Sequence, residues 1–316
     1  MFHSPTRLLL VGALLGSALF CTNILAAQLP AADTVYLRRH LVALTTTPQP
    51  RNYLHEASLN QAADYIKAEL AAAGAHPTEQ PYQVQGRTYR NILGSFGPAN
   101  GPRIIIGAHY DVCGEQPGAD DNGTGVAALL ELARLLGQQP LTCRVDLVAY
   151  TLEEPPFFRT PQMGSYVHAR SLHKAGVPVR GMIALEMLGY YDDRKNSQDY
   201  PAKPLRWLYG SRGNYVTVAQ KFGNGRFGRR FARLYKDAAA LPVKRFKAPA
   251  WLPGIDFSDH LNYWHFHYPA VLLTDTAFYR NKHYHEPTDT LNRLDMRRLA
   301  LAVDAVLATV VRLAAT

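Results

Sequence analysis

Six short segments of the chain put carboxylates and imidazoles in patterns suited to holding a metal ion and activating water. Gly107-Ala108-His109-Tyr110-Asp111 offers an imidazole followed at once by a carboxylate, so that His109 can bind a metal while Asp111 orients its ring. Gly118-Ala119-Asp120-Asp121-Asn122-Gly123-Thr124-Gly125 reads as a turn opening a helix. The helix macrodipole accounts for one acid there, and a second exceeds what capping needs. Thr151-Leu152-Glu153-Glu154-Pro155-Pro156 follows an apolar run. Neighbouring side chains at a strand end diverge, which lets one carboxylate bind metal while the other faces the water to be activated. Glu186 interrupts the apolar stretch Leu185-Glu186-Met187, where a charge is costly unless paired or metal-bound. Ser258-Asp259-His260 and Lys282-His283-Tyr284-His285-Glu286 supply imidazoles for a further ligand, whereas His265 and His267 read as packing or surface residues. Taken singly, each segment also has a plain reading: a hydrogen-bonded His–Asp pair, a capped helix, a solvated acidic loop.

The elements that carry these segments form one pattern. Arg103–His109, Val145–Thr151, Met182–Met187 and Ala270–Thr274 are short apolar runs that predict buried strands, and Tyr82–Val84 and Thr88–Leu93 predict two more around Gly86. Ser58-Leu59-Asn60-Gln61 has capping-box form, with Leu59, Ala62, Ile66, Leu70 and Ala73 at helical spacing before Gly74. Val126–Leu136 predicts a helix apolar nearly all round, and Asp295 introduces a last helix over Met296–Leu313. Strands alternating with helices predict an α/β three-layer sandwich, its mixed and largely parallel sheet covered on both faces. Ligands of such sheets lie beyond the carboxyl ends of the strands, where most of these segments fall. Tyr190–Trp251, rich in Pro, Gly and charge, reads as an irregular insertion within a single domain over residues 28–316.

Met1–Arg7 is short and basic, Leu8–Cys21 is almost purely apolar, and small residues follow at Ala26-Ala27. This is the form of a secretory signal peptide over residues 1–27, too short to span a membrane, so the expected location is periplasmic or secreted. With 34 Lys and Arg against 25 Asp and Glu the chain carries +9, a surplus that also suits a nucleic-acid binder. Export turns that reading aside, and the basic cluster Lys221, Arg226, Arg229, Arg230, Arg233 and Lys236 is read as a solvated helix face. Three cysteines, none with CxxC spacing, exclude a disulfide scaffold and argue against a cysteine-based zinc site. Cys113 lies beyond the exit of one predicted strand and Cys143 at the entrance of another, out of disulfide reach.

The ordered set GAHYD, GADDNGTG, LEEPPFF, ALEMLGY, SDH and YHEPTDT resembles the zinc-dependent aminopeptidases of clan MH, similar in fold to the bacterial leucyl aminopeptidases. The similarity runs from about Tyr36 to about Leu313. It implies two zinc ions bridged by Asp120, one completed by His109 and Glu186 and the other by Glu154 and His285. It further implies Glu153 as general base and proton donor, Asp111 as the residue holding His109, and peptides with a free N-terminus as substrates. Two positions depart from the pattern: many members have Asp in place of Glu186, and some have Tyr where Ile255 stands. Glutaminyl cyclases, single-zinc acyltransferases on a similar fold, are one alternative, and non-catalytic receptor-type relatives are another. The Pro155-Pro156-Phe157-Phe158 context is peptidase-like, and every candidate ligand is present.

Overall fold

Two helices, α1 (Thr34–Thr45) and α2 (Glu56–Ala72), precede a hairpin of β1 (Thr78–Val84) and β2 (Arg87–Phe96). Strand β3 (Arg103–His109) leads through a glycine-rich turn into α3 (Gly125–Leu136). Then come β4 (Arg144–Tyr150), α4 (Gly164–Lys174), β5 (Val179–Glu186), α5 (Leu205–Tyr209), β6 (Val216–Lys221), α6 (Gly225–Ala238) and β7 (Val243–Ala248). The chain closes with α7 (His260–His265), β8 (Ala270–Thr274) and α8 (Met296–Ala314). This computed structural model describes residues 29–315, so the expected signal peptide over residues 1–27 lies outside the described residues. Tertiary contacts join the chain from Ala31 onward into one unit.

The eight strands form one sheet in the order β1-β2-β4-β3-β5-β8-β6-β7. Its middle, β4-β3-β5-β8, is parallel throughout. Ile104, Ile105 and Ile106 of β3 are fully buried, as a central strand covered on both faces requires, and each such side chain contributes about 1.5–3 kcal/mol. Helices α1, α3, α6 and α8 stack against one another on one face, and α4 and α7 pack on the other. The parallel registers decide what meets at the carboxyl edge. His109 pairs with Tyr150, Glu186 pairs with Thr274, and Gly107 pairs with Ala184, which brings His109 level with Glu186.

Local chemistry sets the ends of the elements. The Asp295 side chain accepts from Arg298 N at 3.0 Å and caps α8. Helix α2 starts at Glu56, ahead of the expected capping box, because the Asn52 side chain accepts from Leu54 N and His55 N and closes the turn upstream. Ser58 Oγ is left to accept from Gln49 N. Segment 190–251 corrects the sequence reading. It is no irregular insertion, since β6, α6 and β7 extend the sheet, with β6 antiparallel to β8 and β7 parallel to β6. Helix α6 buries Phe231, Ala232 and Tyr235 and exposes Arg226, Arg229, Arg233 and Lys236, a solvated basic face. Cys113 and Cys143 are both unpaired. Among the described residues, no helix is long and apolar enough to cross a membrane.

Behind the parallel strands runs a buried polar chain. His168 Nδ1 lies 2.6 Å from Tyr263 Oη, which lies 2.7 Å from Tyr150 Oη. Burial lowers the His168 pKa from 6.5 to about 4. The unfolded chain therefore takes up this proton first, and stability present above pH 6.5 is lost as the pH falls toward about 4. His40 and His260 act in the same direction, and buried carboxylates with raised pKa values act against it. Comparing the wild type with His168→Gln isolates this one site. Urea unfolding across the acid range is expected to show a slope of stability against pH shallower in the variant by about 1.4 kcal/mol per pH unit. Identical slopes would exclude a neutral buried His168.

Candidate active site

The turn between β3 and α3 is held from below. Gly118 adopts φ 60°, a left-handed conformation natural to glycine. The buried Arg51 guanidinium donates to the carbonyls of Gly118 (2.6 Å), Pro117 (2.5 Å) and Tyr110 (2.8 Å). The Asp289 carboxylate accepts from Asp120 N and Asp121 N, each at 3.0 Å. Within the turn, Asp121 (φ −99°, ψ 99°) and Asn122 (φ −116°, ψ 44°) leave helical geometry, and the two adjacent acids face apart. A Cβ on Gly125 would overlap Asn122 Oδ1 and the Leu185 carbonyl, so glycine alone lets α3 begin this close to β5.

This geometry separates the two neighbouring acids and does not bring the expected Asp120 into the cleft. Asp120 faces the fold: its Oδ1 accepts from Gly189 N (2.9 Å) and Thr124 Oγ1 (3.1 Å), and its Oδ2 from Asn281 Nδ2 (2.8 Å). Those bonds use both of its oxygens. Asp121 faces the cleft instead, with Oδ1 3.5 Å from His109 Nε2 and Oδ2 3.2 Å from His285 Nε2. Sequence spacing does not separate two neighbouring acids in one turn. The hydroxyl of Thr124, one helical turn beyond Asp120, is the only local sign that Asp120 is spent on the backbone.

The other expected residues converge on Asp121. Glu186 Oε2 lies 3.3 Å from His109 Nε2 and accepts from Ser258 Oγ at 2.7 Å. Glu154 Oε2 lies 3.2 Å from His285 Nε2, and Glu153 Oε2 lies 3.8 Å from His109 Nε2. Asp111 stands against His109 as expected, its carboxylate 3.7 Å from His109 Nδ1, and that nitrogen sits 3.2 Å from the Asp111 carbonyl. The carboxylate also accepts from Glu153 N (3.2 Å) and Glu154 N (3.1 Å), fixing the backbone of the acidic pair. His260 Nε2 meets the Ile255 carbonyl at 2.8 Å and stays out of the cleft. Arg51, Asn281 and Asp289 are not among the expected residues, and of the acid pair read as candidate ligands the resemblance implies Asp120 rather than Asp121.

Electrostatics show what the cluster lacks. Burial pushes Glu153 well above the usual carboxylate range, His109 pulls it back, and Glu154 and Glu186 push further. Burial and Asp121 raise Glu154 to about 7. Burial opposes charge on His285, yet Asp121 and Glu154 outweigh it and push the imidazole up to about 12. Among the described residues, no lysine or arginine forms an ion pair with Asp121, Glu153, Glu154 or Glu186. Glu154 Oε1 is buried without a hydrogen bond, and Asp121 Oδ2 has only the His285 imidazole, 3.2 Å away. Buried carboxylate oxygens so poorly partnered are expensive, and a cation shared among them removes the cost. Imidazole and carboxylate donors suit zinc.

Two clefts adjoin here, sharing Glu186, Phe257, Ala277 and Phe278. The acidic one encloses about 540 Å³, and the other, about 710 Å³, is walled by Tyr200, Tyr209, Tyr215 and Phe246. Comparison with known proteins identifies the family and the fold. Residues 91–310 match peptidase family M28. YfbL of Escherichia coli (strain K12) is 47% identical over 284 residues, covering 87% of each chain. Aminopeptidase YwaD of Bacillus subtilis (strain 168) is 27% identical over 227 residues, covering 71% of this chain and 44% of YwaD. The LapA aminopeptidase of Legionella pneumophila shares the fold with a TM-score of 0.71 and 18% identity, over 90% of this chain and 73% of that one. A Tannerella forsythia glutaminyl cyclase shares it with a TM-score of 0.65 and 20% identity, over 89% and 98%. The family match spans well over half of the chain and places it in peptidase family M28.

Proposed function

We propose that the protein is an exported aminopeptidase that holds two zinc ions and removes N-terminal residues from peptides. The observation that carries this reading is the position of Asp121. It reaches toward both imidazoles, between a His109–Glu186 pair and a His285–Glu154 pair, so each pair would complete one ion and Asp121 would serve both. When bound, such ions supply Lewis acidity toward a carbonyl and lower the pKa of water. Glu153 is the one carboxylate of the group not needed as a ligand. It would take the proton of the attacking water and pass it to the departing amine, a transfer that suits a carboxyl raised above its usual range. Asp111, through the backbone of Glu153 and Glu154, would keep the base and its neighbouring ligand in register. The acidic cleft suits a free substrate amine. The aromatic cleft beside it would take the side chain of the residue to be removed, favouring large apolar ones.

Two experiments test the reading. Zinc at a hundredfold excess over its Kd is expected to stabilise the protein by about 2.7 kcal/mol for each ion bound in thermal unfolding. Asp121→Asn loses that increment, whereas Asp120→Asn lowers the baseline and keeps it. The reverse pattern would return the bridging role to Asp120. In assays on aminoacyl-p-nitroanilides, Glu153→Gln is expected to lose roughly 10²–10⁴ in kcat with zinc content retained. Conversion of peptides beginning with Gln into pyroglutamyl peptides with loss of ammonia, in place of release of free amino acids, would assign the site to the cyclase branch of the fold.

A further inference from the structure

We propose that Cys113 is a thiolate ligand to the ion held by Glu154 and His285, a site of mixed sulfur, nitrogen and oxygen donors. The proposal rests on the metal-centre reading above and goes beyond it, because no thiol belongs to the ligand set inferred there. Cys113 stands just past Asp111 on the loop leaving β3, half-buried at the rim of the acidic cleft. Its Sγ, a Glu154 carboxylate oxygen and a His285 ring nitrogen all lie within 4.8 Å of one another.

An independent observation points to a ligand at this place. Glu154 is only 4% exposed, and its Oε1 makes no hydrogen bond to any described residue. It belongs to the side chain that, with His285, gathers about the thiol. Cys143, by contrast, is buried at the start of β4, where its Sγ meets the Arg144 carbonyl at 3.6 Å. The two thiols therefore differ in kind.

The chemistry balances without any redox step. Binding of the ion forms one metal–sulfur bond and releases the thiol proton to solvent, and no electron changes hands. With Asp121, the ion would then have four protein donors, the number typical of a closed zinc site. Cys113 would thus compete with a substrate group for one coordination position. It would yield that position when a substrate binds, and shield the ion when none is present.

Cobalt gives a readout independent of turnover. Purified protein would be stripped of metal, reloaded with Co²⁺ and compared with Cys113→Ser. A thiolate-to-cobalt charge-transfer band in the near ultraviolet is expected in the wild type and lost in the variant, with cobalt content and visible ligand-field bands retained in both. Reaction of one thiol with Ellman's reagent is expected to slow on metal loading in the wild type, with no metal-sensitive thiol in Cys113→Ser. Cobalt bound without the charge-transfer band, or a band that persists in Cys113→Ser, overturns the proposal and leaves the metal centre standing. Failure of both proteins to retain cobalt overturns the metal-centre reading itself.

Discussion

The structure depends on a crowding of negative charge at the carboxyl edge of its parallel strands. Asp121, Glu153, Glu154 and Glu186 are each less than a tenth exposed and face one another across two imidazoles. Left alone, buried carboxylates hold protons, and Glu153, Glu154 and Glu186 show that tendency in their raised pKa values. A fold that tolerates such a cluster must both hold its members in place against repulsion and receive positive charge from outside the chain. Arg51, a buried guanidinium, does the first: its donors go to backbone carbonyls, and its charge reaches Asp121 and Glu154 only through space.

The acids divide accordingly. Asp111, Asp120 and Asp289 carry the same charge as the cleft residues, but their oxygens accept from backbone amides or from Thr124 and Asn281. They set the turn between β3 and α3 and the loop after β4. Asp121, Glu153, Glu154 and Glu186 receive little of that support and keep oxygens directed at the cleft. Because hydrogen bonds from backbone amides to a carboxylate have fixed geometry, the structural acids specify where the others point. Removal of Asp289 would free the amides of Asp120 and Asp121 and with them the orientation of the turn.

How much of this could be read from the sequence depended on whether the signal was local. Strands β3 and β8 match the apolar runs residue for residue, and α8 starts where Asp295 caps it, because burial on both faces and capping are both written in short windows. The sheet edge was not legible. Strand β7 is Val-Lys-Arg-Phe-Lys-Ala, an edge strand whose lysines and arginine look like a loop and discourage pairing with another chain. Strand β6 is buried but short, and only its pairing with β8 makes it a strand. The choice between Asp120 and Asp121 likewise turns on partners more than a hundred and fifty residues away, Asn281 and Asp289, which no local pattern reports. The thiol of Cys113 was set aside on spacing for the same reason, since Glu154 and His285 approach it only in the folded chain.

Net charge was the least informative quantity of all, and its failure has a physical cause. Residues 1–27 contain one basic residue and no acid, so the remainder carries 34 − 1 − 25 = +8. That surplus says nothing of the acidic cleft, because the two populations sit in different dielectric surroundings. Arg226, Arg229, Arg233 and Lys236 project into water from α6, where ions screen them beyond about 8 Å. The cleft carboxylates are buried, so their fields act at full strength over the few ångströms that matter for a bound ion or a substrate amine. A chain can therefore be basic in sum and still present an electrostatic trap for cations at its functional centre.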